Sequence, residues 1–413
     1  MDGSVSASFK NINSISSALL GYMVAVILIM TLAPFRFEIA HAFQITGYTD
    51  LSDIFNNIFL FLPFGFLFHV KMRNRRDHIY RRVILSGLLL SLLIEFCQLF
   101  LSGRYASPVD VLTNACGAGL GAWLFAVLRN KLKERSTGLL SFDLPLIHLI
   151  YLLIPMLWMN ALVTDDRFRQ LLLMILLAVM GGMIFTATYK NWLAIRSATQ
   201  PRGMALVASL WFLFSSFPLV FKSPRLVLAV AGLLGLGVFF RCCFPGRLSG
   251  DRRFEVSTLK RLLPIFTFYL FLMIFWPPAF PEFHLQVSFG LNELADDPTI
   301  PSIFFLLEYI SALTLLGYMV AELAGRWPNE NMAGVGWIYF FITSISAELE
   351  FLRALHPMKA FSFLHFFMGI AGGMFGIMIY HLQMKEVLKI RRRGRNLAAF
   401  NNLLNGEFHR IQE

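Results

Sequence analysis

Apolar stretches long enough to cross a bilayer follow one another from Ser17 to Leu382, with short polar intervals between them. That spacing leaves few folds open. Inside hydrocarbon every backbone N–H and C=O must be satisfied within the chain, so runs of this length fold as helices. Composition closes the alternatives: 57% of the residues are hydrophobic and 15% charged, whereas soluble domains carry about a quarter charged residues. Such hydrophobicity also excludes intrinsic disorder. The expected fold class is all-α, a polytopic helical membrane protein.

Twelve spans are predicted: Ser17–Phe35, Ile54–Val70, Arg82–Leu101, Val109–Leu128, Leu144–Val163, Leu171–Tyr189, Met204–Phe221, Leu226–Phe240, Leu262–Pro277, Ser302–Leu323, Met332–Leu352 and Phe361–Leu382. The second and eighth are short for a bilayer. Pro63 and Gly65 fall inside the second, which reads as kinked or partly re-entrant.

Charge tests this count from another direction. The formal net charge is +11, a balance that would suggest nucleic acid for a soluble chain. Membrane proteins gather Lys and Arg in cytoplasmic loops instead. With a cytoplasmic N-terminus, 28 of the 36 basic residues fall on the inner side of the twelve spans. The expectation is a multi-pass protein of the bacterial inner membrane with both termini cytoplasmic and no nucleic-acid partner. The basic tail, 384–413 with its KIRRRGR run, either lies on anionic lipid or simply marks the inner side. Cys97, Cys116, Cys242 and Cys243 have no metal-like spacing and read as apolar filler. No cleavable signal peptide is expected, and neither a metal nor another cofactor.

An internal duplication is visible at an offset of 252 residues, which sets Gly65 on Gly317, Gly117 on Gly369, Gly121 on Gly373, Asn56 on Glu308 and Arg104 on His356, with Glu95 one residue short of Glu348. LAPFRFE at the end of the first span also resembles WPPAFPE at the end of the ninth. Five segments follow: 1–16, a cytoplasmic N-terminal stretch; 17–135, a first four-helix unit; 136–245, a central four-helix block; 246–383, a second, divergent unit; and the tail 384–413. The two units share one orientation. The central block has no interior acid and reads as a spacer or lipid-facing group.

The polar residues that hydropathy does not explain lie between Asp50 and Gly121. Asp53, Asn56 and Asn57 open the second span, Glu95 and Gln98 close the third one turn apart, Arg104 follows in the loop, and Asp110 and Asn114 open the fourth. All reach the same depth, near the outer interface, where ionisable groups face a protein interior or a wet cavity. Structural readings stand beside this one. Ser107-Pro108-Val109-Asp110 is also a capping box. Gly117 and Gly121 suit close helix packing, Asp53 suits the helix dipole, and Glu95 can bridge to Arg104. In the second unit Glu308, Glu348, Glu350 and Arg353 are the matching candidates, while the Asp-x3-Asn pair becomes Ser362-x3-Phe366.

The segment Asn57-x5-Pro63-x-Gly65, Glu95-x2-Gln98, Arg104, Asp110-x3-Asn114-x2-Gly117-x3-Gly121 resembles the VanZ-like family of bacterial integral membrane proteins. The resemblance covers the second to fourth spans. It implies a cell-envelope setting and a link with glycopeptide resistance or with exopolysaccharide genes, and it carries no chemical activity.

Three functional classes follow. The first is a non-catalytic envelope protein whose outward polar site, Asp53, Asn57, Glu95, Gln98, Arg104, Asp110 and Asn114, binds a lipid-linked wall or polysaccharide precursor, with membrane lipids as its other partner. The second is a transporter or flippase of a lipid-linked or small anionic solute, suggested by repeats and span number. The third is a membrane-embedded enzyme using paired carboxylates. Against that class, the chain has no HExxH and no GxSxG.

Overall fold

Each predicted apolar run becomes a helix, the seventh in two pieces. In the computed structural model the described residues are 2–38, 50–72, 78–102, 104–133, 147–193, 200–244, 254–278, 287–289, 299–325, 333–357 and 359–385. The tail after Lys385, with its KIRRRGR run, lies outside them. Thirteen helices occur among the described residues: α1 Asp2–Leu32, α2 Leu51–Lys71, α3 Ile79–Gln98, α4 Pro108–Lys133, α5 Ile147–Leu162, α6 Arg167–Thr188, α7 Pro201–Ser215, α8 Phe217–Lys222, α9 Pro224–Cys243, α10 Phe254–Phe275, α11 Ile300–Ala324, α12 Ala333–Ala354 and α13 Phe363–Lys385. The chain is an all-α polytopic membrane protein. Eight of these helices are long and apolar enough to cross a membrane: α1, α2, α4, α6, α9, α10, α11 and α13.

Local chemistry sets the helix ends. Asp166 caps α6 by accepting from the amides of Phe168 and Arg169, at 2.9 and 3.2 Å. Thr299 caps α11 through the Ser302 amide, and Pro201 and Pro224 start α7 and α9, where a missing N–H costs nothing. The seventh predicted span, Met204–Phe221, divides into α7 and α8 at Ser216. Pro218 has no N–H for the Phe214 carbonyl four residues back, so the ladder breaks there. By contrast Pro63 leaves α2 unbroken from Leu51 to Lys71, so this helix is not re-entrant. Two short pairings tie loops together: Phe37 bridges Leu101 antiparallel, and β1 Val287–Ser288 pairs in parallel with β2 Phe361–Ser362.

Glycine lets backbones touch in two places. A Cβ on Gly117 would stand 2.3 Å from the Ile58 carbonyl oxygen, and one on Gly121 2.0 Å from that of Leu62. In α13, Gly372 meets Ile310 and Gly376 meets Thr314 in the same way, at 2.6 and 2.0 Å. The glycines that play equivalent parts are therefore Gly117 with Gly372 and Gly121 with Gly376, not Gly369 and Gly373. The reason is length: the offset is 252 at the contacts of α2 and α11 but 255 from Glu95 and Glu350 onward, because three extra residues lie between Thr314 and Glu350.

Within the central block α5 is interior, whereas α7 and α9 keep exposed apolar faces. Leu152, Leu153, Met156, Trp158 and Met159 of α5 are fully or almost fully buried, with α5 packed on α11 and α6. Phe59 of α2 rests on Phe217 of α8 with ring centroids 4.2 Å apart, and Phe66 lies 6.1 Å from Tyr151 of α5. Tyr22 of α1 donates to Ser311 Oγ of α11 at 2.8 Å, joining the first helix to the C-terminal group. Leu89, Leu93 and Phe96 of α3 and Leu233 and Leu236 of α9 face outward, the apolar exterior that lipid requires.

Candidate functional site

At one end of the bundle, where α3 and α12 finish and α4 and α13 begin, the polar side chains collect. Glu95 is buried in the last turn of α3. Its Oε2 accepts from the Ser107 amide at 2.7 Å. In a capping box that N–H goes to the acid at the third helical position; here an acid from another helix takes it, locking α3 to the start of α4. Ser107 Oγ in turn accepts from the Asp110 amide at 3.4 Å, so Ser107 is the N-cap of α4. Glu95 and Asp110 are thereby held around one serine, within electrostatic reach of each other.

The other first-unit candidates spread from that pair. Gln98 Nε2 donates to the Thr31 carbonyl at 3.1 Å and Arg104 donates to the Ala33 carbonyl at 3.4 Å, so both pin the cluster to the end of α1. The Glu95 contact is therefore with Ser107, while Arg104 reaches α1. Asn114 lies one turn deeper, its Nδ2 donating to Ser91 Oγ at 2.8 Å. Its Oδ1 and the Nδ2 of Asn57 are buried with no hydrogen-bond partner among the described residues. Buried polar atoms of this kind cost about 1–3 kcal/mol each. Asp53 stands exposed in the first turn of α2.

The same set of contacts occurs again 255 residues later. Glu350, fully buried in α12, accepts from the Ser362 amide at 3.1 Å, and Ser362 Oγ accepts from the His365 amide at 3.4 Å. The residue that takes the part of Glu95 is thus Glu350; Glu348 is exposed on α12. His365 replaces Asp110 as a result, Arg353 replaces Gln98, and Lys359 replaces Arg104. Arg353 lies 3.6 Å from Glu350. Lys359 Nζ donates to the carbonyls of Ile274 and Trp276 at 2.6 and 2.7 Å, the counterpart of Arg104 on Ala33. Gly369 replaces Asn114, and Ser346 Oγ with the ring of Tyr309 occupies the space a side chain there would need.

Glu308 belongs to a different contact. Arg169 of α6 bridges it at 3.0 Å and Tyr269 donates to its other oxygen at 2.7 Å, with Arg169 4% and Glu308 0% exposed. This pair joins the central block to α10 and α11. Nearby, Trp276 Nε1 donates to Asp166 at 2.8 Å, and that bond, helped by the α6 amides, holds the Asp166 carboxyl below its ordinary range. Burial, reinforced by Arg353 and Arg169, pulls the Lys359 ammonium down to about 8.

Sequence reading overlooked Arg169, Lys359 and His365. For His365 the signal was the repeated Ser-x2 pattern, Ser107-x2-Asp110 and Ser362-x2-His365, which only the 255 offset aligns. Residues 5–129, which take in the first unit except 130–135, match the family model described as VanZ/LLP1. Comparison with curated proteins and with solved structures gives no match.

Proposed function

We propose that this membrane protein, of the VanZ type over residues 5–129, acts in the bacterial cell envelope by binding the polar head of a lipid-linked wall or exopolysaccharide precursor. The observation that carries this reading is the pair of acids, Glu95 and Asp110, fixed around Ser107 at one end of the VanZ-like unit, with exposed Arg104 beside them. Two carboxylates and a guanidinium suit the amines, hydroxyls and anionic groups of such a head. The positive-inside bias supports twelve passages in the inner membrane, cytoplasmic termini, and an outward-facing polar end. Glycopeptide resistance would follow from holding the precursor that the drug recognises.

The paired contacts at Ser107 and Ser362 support an internal duplication, two units in one orientation about an axis along the membrane normal. That arrangement favours one other reading, transport or flipping of a lipid-linked or small anionic solute.

The test uses the double substitution Glu95→Gln with Asp110→Asn, at normal membrane abundance. Binding predicts altered pools of lipid-linked precursors or altered glycopeptide susceptibility in cells. If both stay unchanged, the reading is abandoned. Movement of a labelled polyprenyl-phosphate lipid across reconstituted vesicles would transfer support to transport.

A further inference from the structure

The second unit carries the charge of its polar end reversed. Where the first unit has Gln98 and Asp110, the second has Arg353 and His365, and each exchange moves the site toward positive charge. Arg169 enters from α6, adding a third fixed cation to Arg353 and Lys359. These groups are close neighbours. Arg353 Cζ lies 5.8 Å from the centre of the Phe305 ring and the His365 ring 5.7 Å from the same ring. Lys359 feels both arginines, and uses two of its N–H groups on Ile274 and Trp276. Glu308 and Glu350 are the acids that face this group.

Unpartnered atoms point to what the site takes. His365 is 3% exposed, and neither of its ring nitrogens has a hydrogen-bond partner among the described residues. Arg169, equally buried, has none for Nη1. Glu350 has none for Oε1, an oxygen of a carboxylate that Tyr309 and Arg353 flank. The set therefore offers several donors and a single carboxylate acceptor.

We infer that the second unit binds a phosphate group that still carries a proton, a phosphate monoester or free phosphate, with Arg169, Lys359 and His365 donating to its oxygens and Glu350 Oε1 accepting its P–O–H. Arginine and lysine in this number suit an oxyanion approached from several sides. One imidazole nitrogen donates and the other accepts. At neutral pH a carboxylate, a sulfate or a phosphodiester has no proton for Glu350, so the acceptor selects the monoester. The inference does not depend on what the first unit binds.

The full chain in phosphatidylcholine nanodiscs is titrated with inorganic phosphate, and prepared separately with phosphatidic acid or with phosphatidylglycerol. Inorganic phosphate or phosphatidic acid is expected to raise Tm and to slow amide exchange over residues 350–365, while phosphatidylglycerol and sulfate do neither. A response to inorganic phosphate assigns the free ion; a response to phosphatidic acid alone assigns a lipid head. Arg353→Gln and His365→Asp install residues that the first unit holds in the same backbone setting, and should weaken the apparent affinity by about tenfold or more. Glu95→Gln should keep the response even if the precursor reading fails. No response to either monoester species overturns the inference, as does an equal response to phosphatidylglycerol or sulfate, or an undiminished one in both variants. Should those variants fail to fold, the comparison of monoester with diester on the unmodified chain decides it alone.

Discussion

At Lys359 burial and neighbouring charge act in the same direction. The ammonium is taken from water and set near Arg353 and Arg169, and its pKa falls to about 8. An unfolded lysine titrates near 10.4, so between these values the unfolded chain binds the extra proton. Stability then rises with pH across that window. Below about pH 8 both states are charged and the full cost of burying the ammonium remains. Lys359→Met removes the titration. Measured by Tm in detergent, the unmodified chain should gain on Lys359→Met as pH rises from about 8 to 10, by no more than ~3 kcal/mol. A flat difference would show that Lys359 keeps an ordinary pKa. None of this was legible in the sequence, where Lys359 is one lysine in a loop; its two carbonyl partners lie more than eighty residues away.

Between elements, the decisive contacts are backbone against backbone. The glycines of α4 and α13 were recognisable as packing residues because small side chains four apart let helices approach. Their partners were not. An offset that holds for α2 and α11 fails for α4 and α13, since three residues added between Thr314 and Glu350 shift everything after them. Gly121→Ala would force its Cβ against the Leu62 carbonyl at 2.0 Å and the Phe66 nitrogen at 2.7 Å, neither of which is a flexible side chain. It should destabilise by about 1–3 kcal/mol or more, as overpacking does. Gly232 of α9 is exposed, with nothing within 4 Å of its Cβ position. Gly232→Ala should therefore be neutral or raise stability by up to ~1 kcal/mol through helix propensity. Thermal unfolding in one detergent separates the two, and equal effects would contradict the close α2–α4 contact.

Across the whole molecule, the Arg169–Glu308 pair couples the central block to the C-terminal helices. Removing one partner leaves a buried charge uncompensated. Arg169→Met and Glu308→Gln should each cost about 3–5 kcal/mol, and replacing both with apolar residues should cost much less than the sum. Additive losses in a double-mutant cycle would show that the two side chains do not act as a pair. The expectation of a lipid-facing central block does not extend to α5, for a physical reason. A helix without acids is apolar whether it meets lipid or protein, and α5 meets protein.

The sequence by itself determined the all-α membrane class and the order of the helices. Hydropathy and charge are local quantities that a bilayer sorts along one dimension. Ser107 as an N-cap was legible for the same reason, since a cap is built from neighbours in the chain. Only the tertiary structure decided which group each polar side chain meets: Glu95 with Ser107, Arg104 with Ala33, Glu308 with Arg169, and Glu350 rather than Glu348 in the second unit. Those contacts join segments from a dozen to well over a hundred residues apart. Their register depends on loop lengths and helix rotation, which no local pattern encodes.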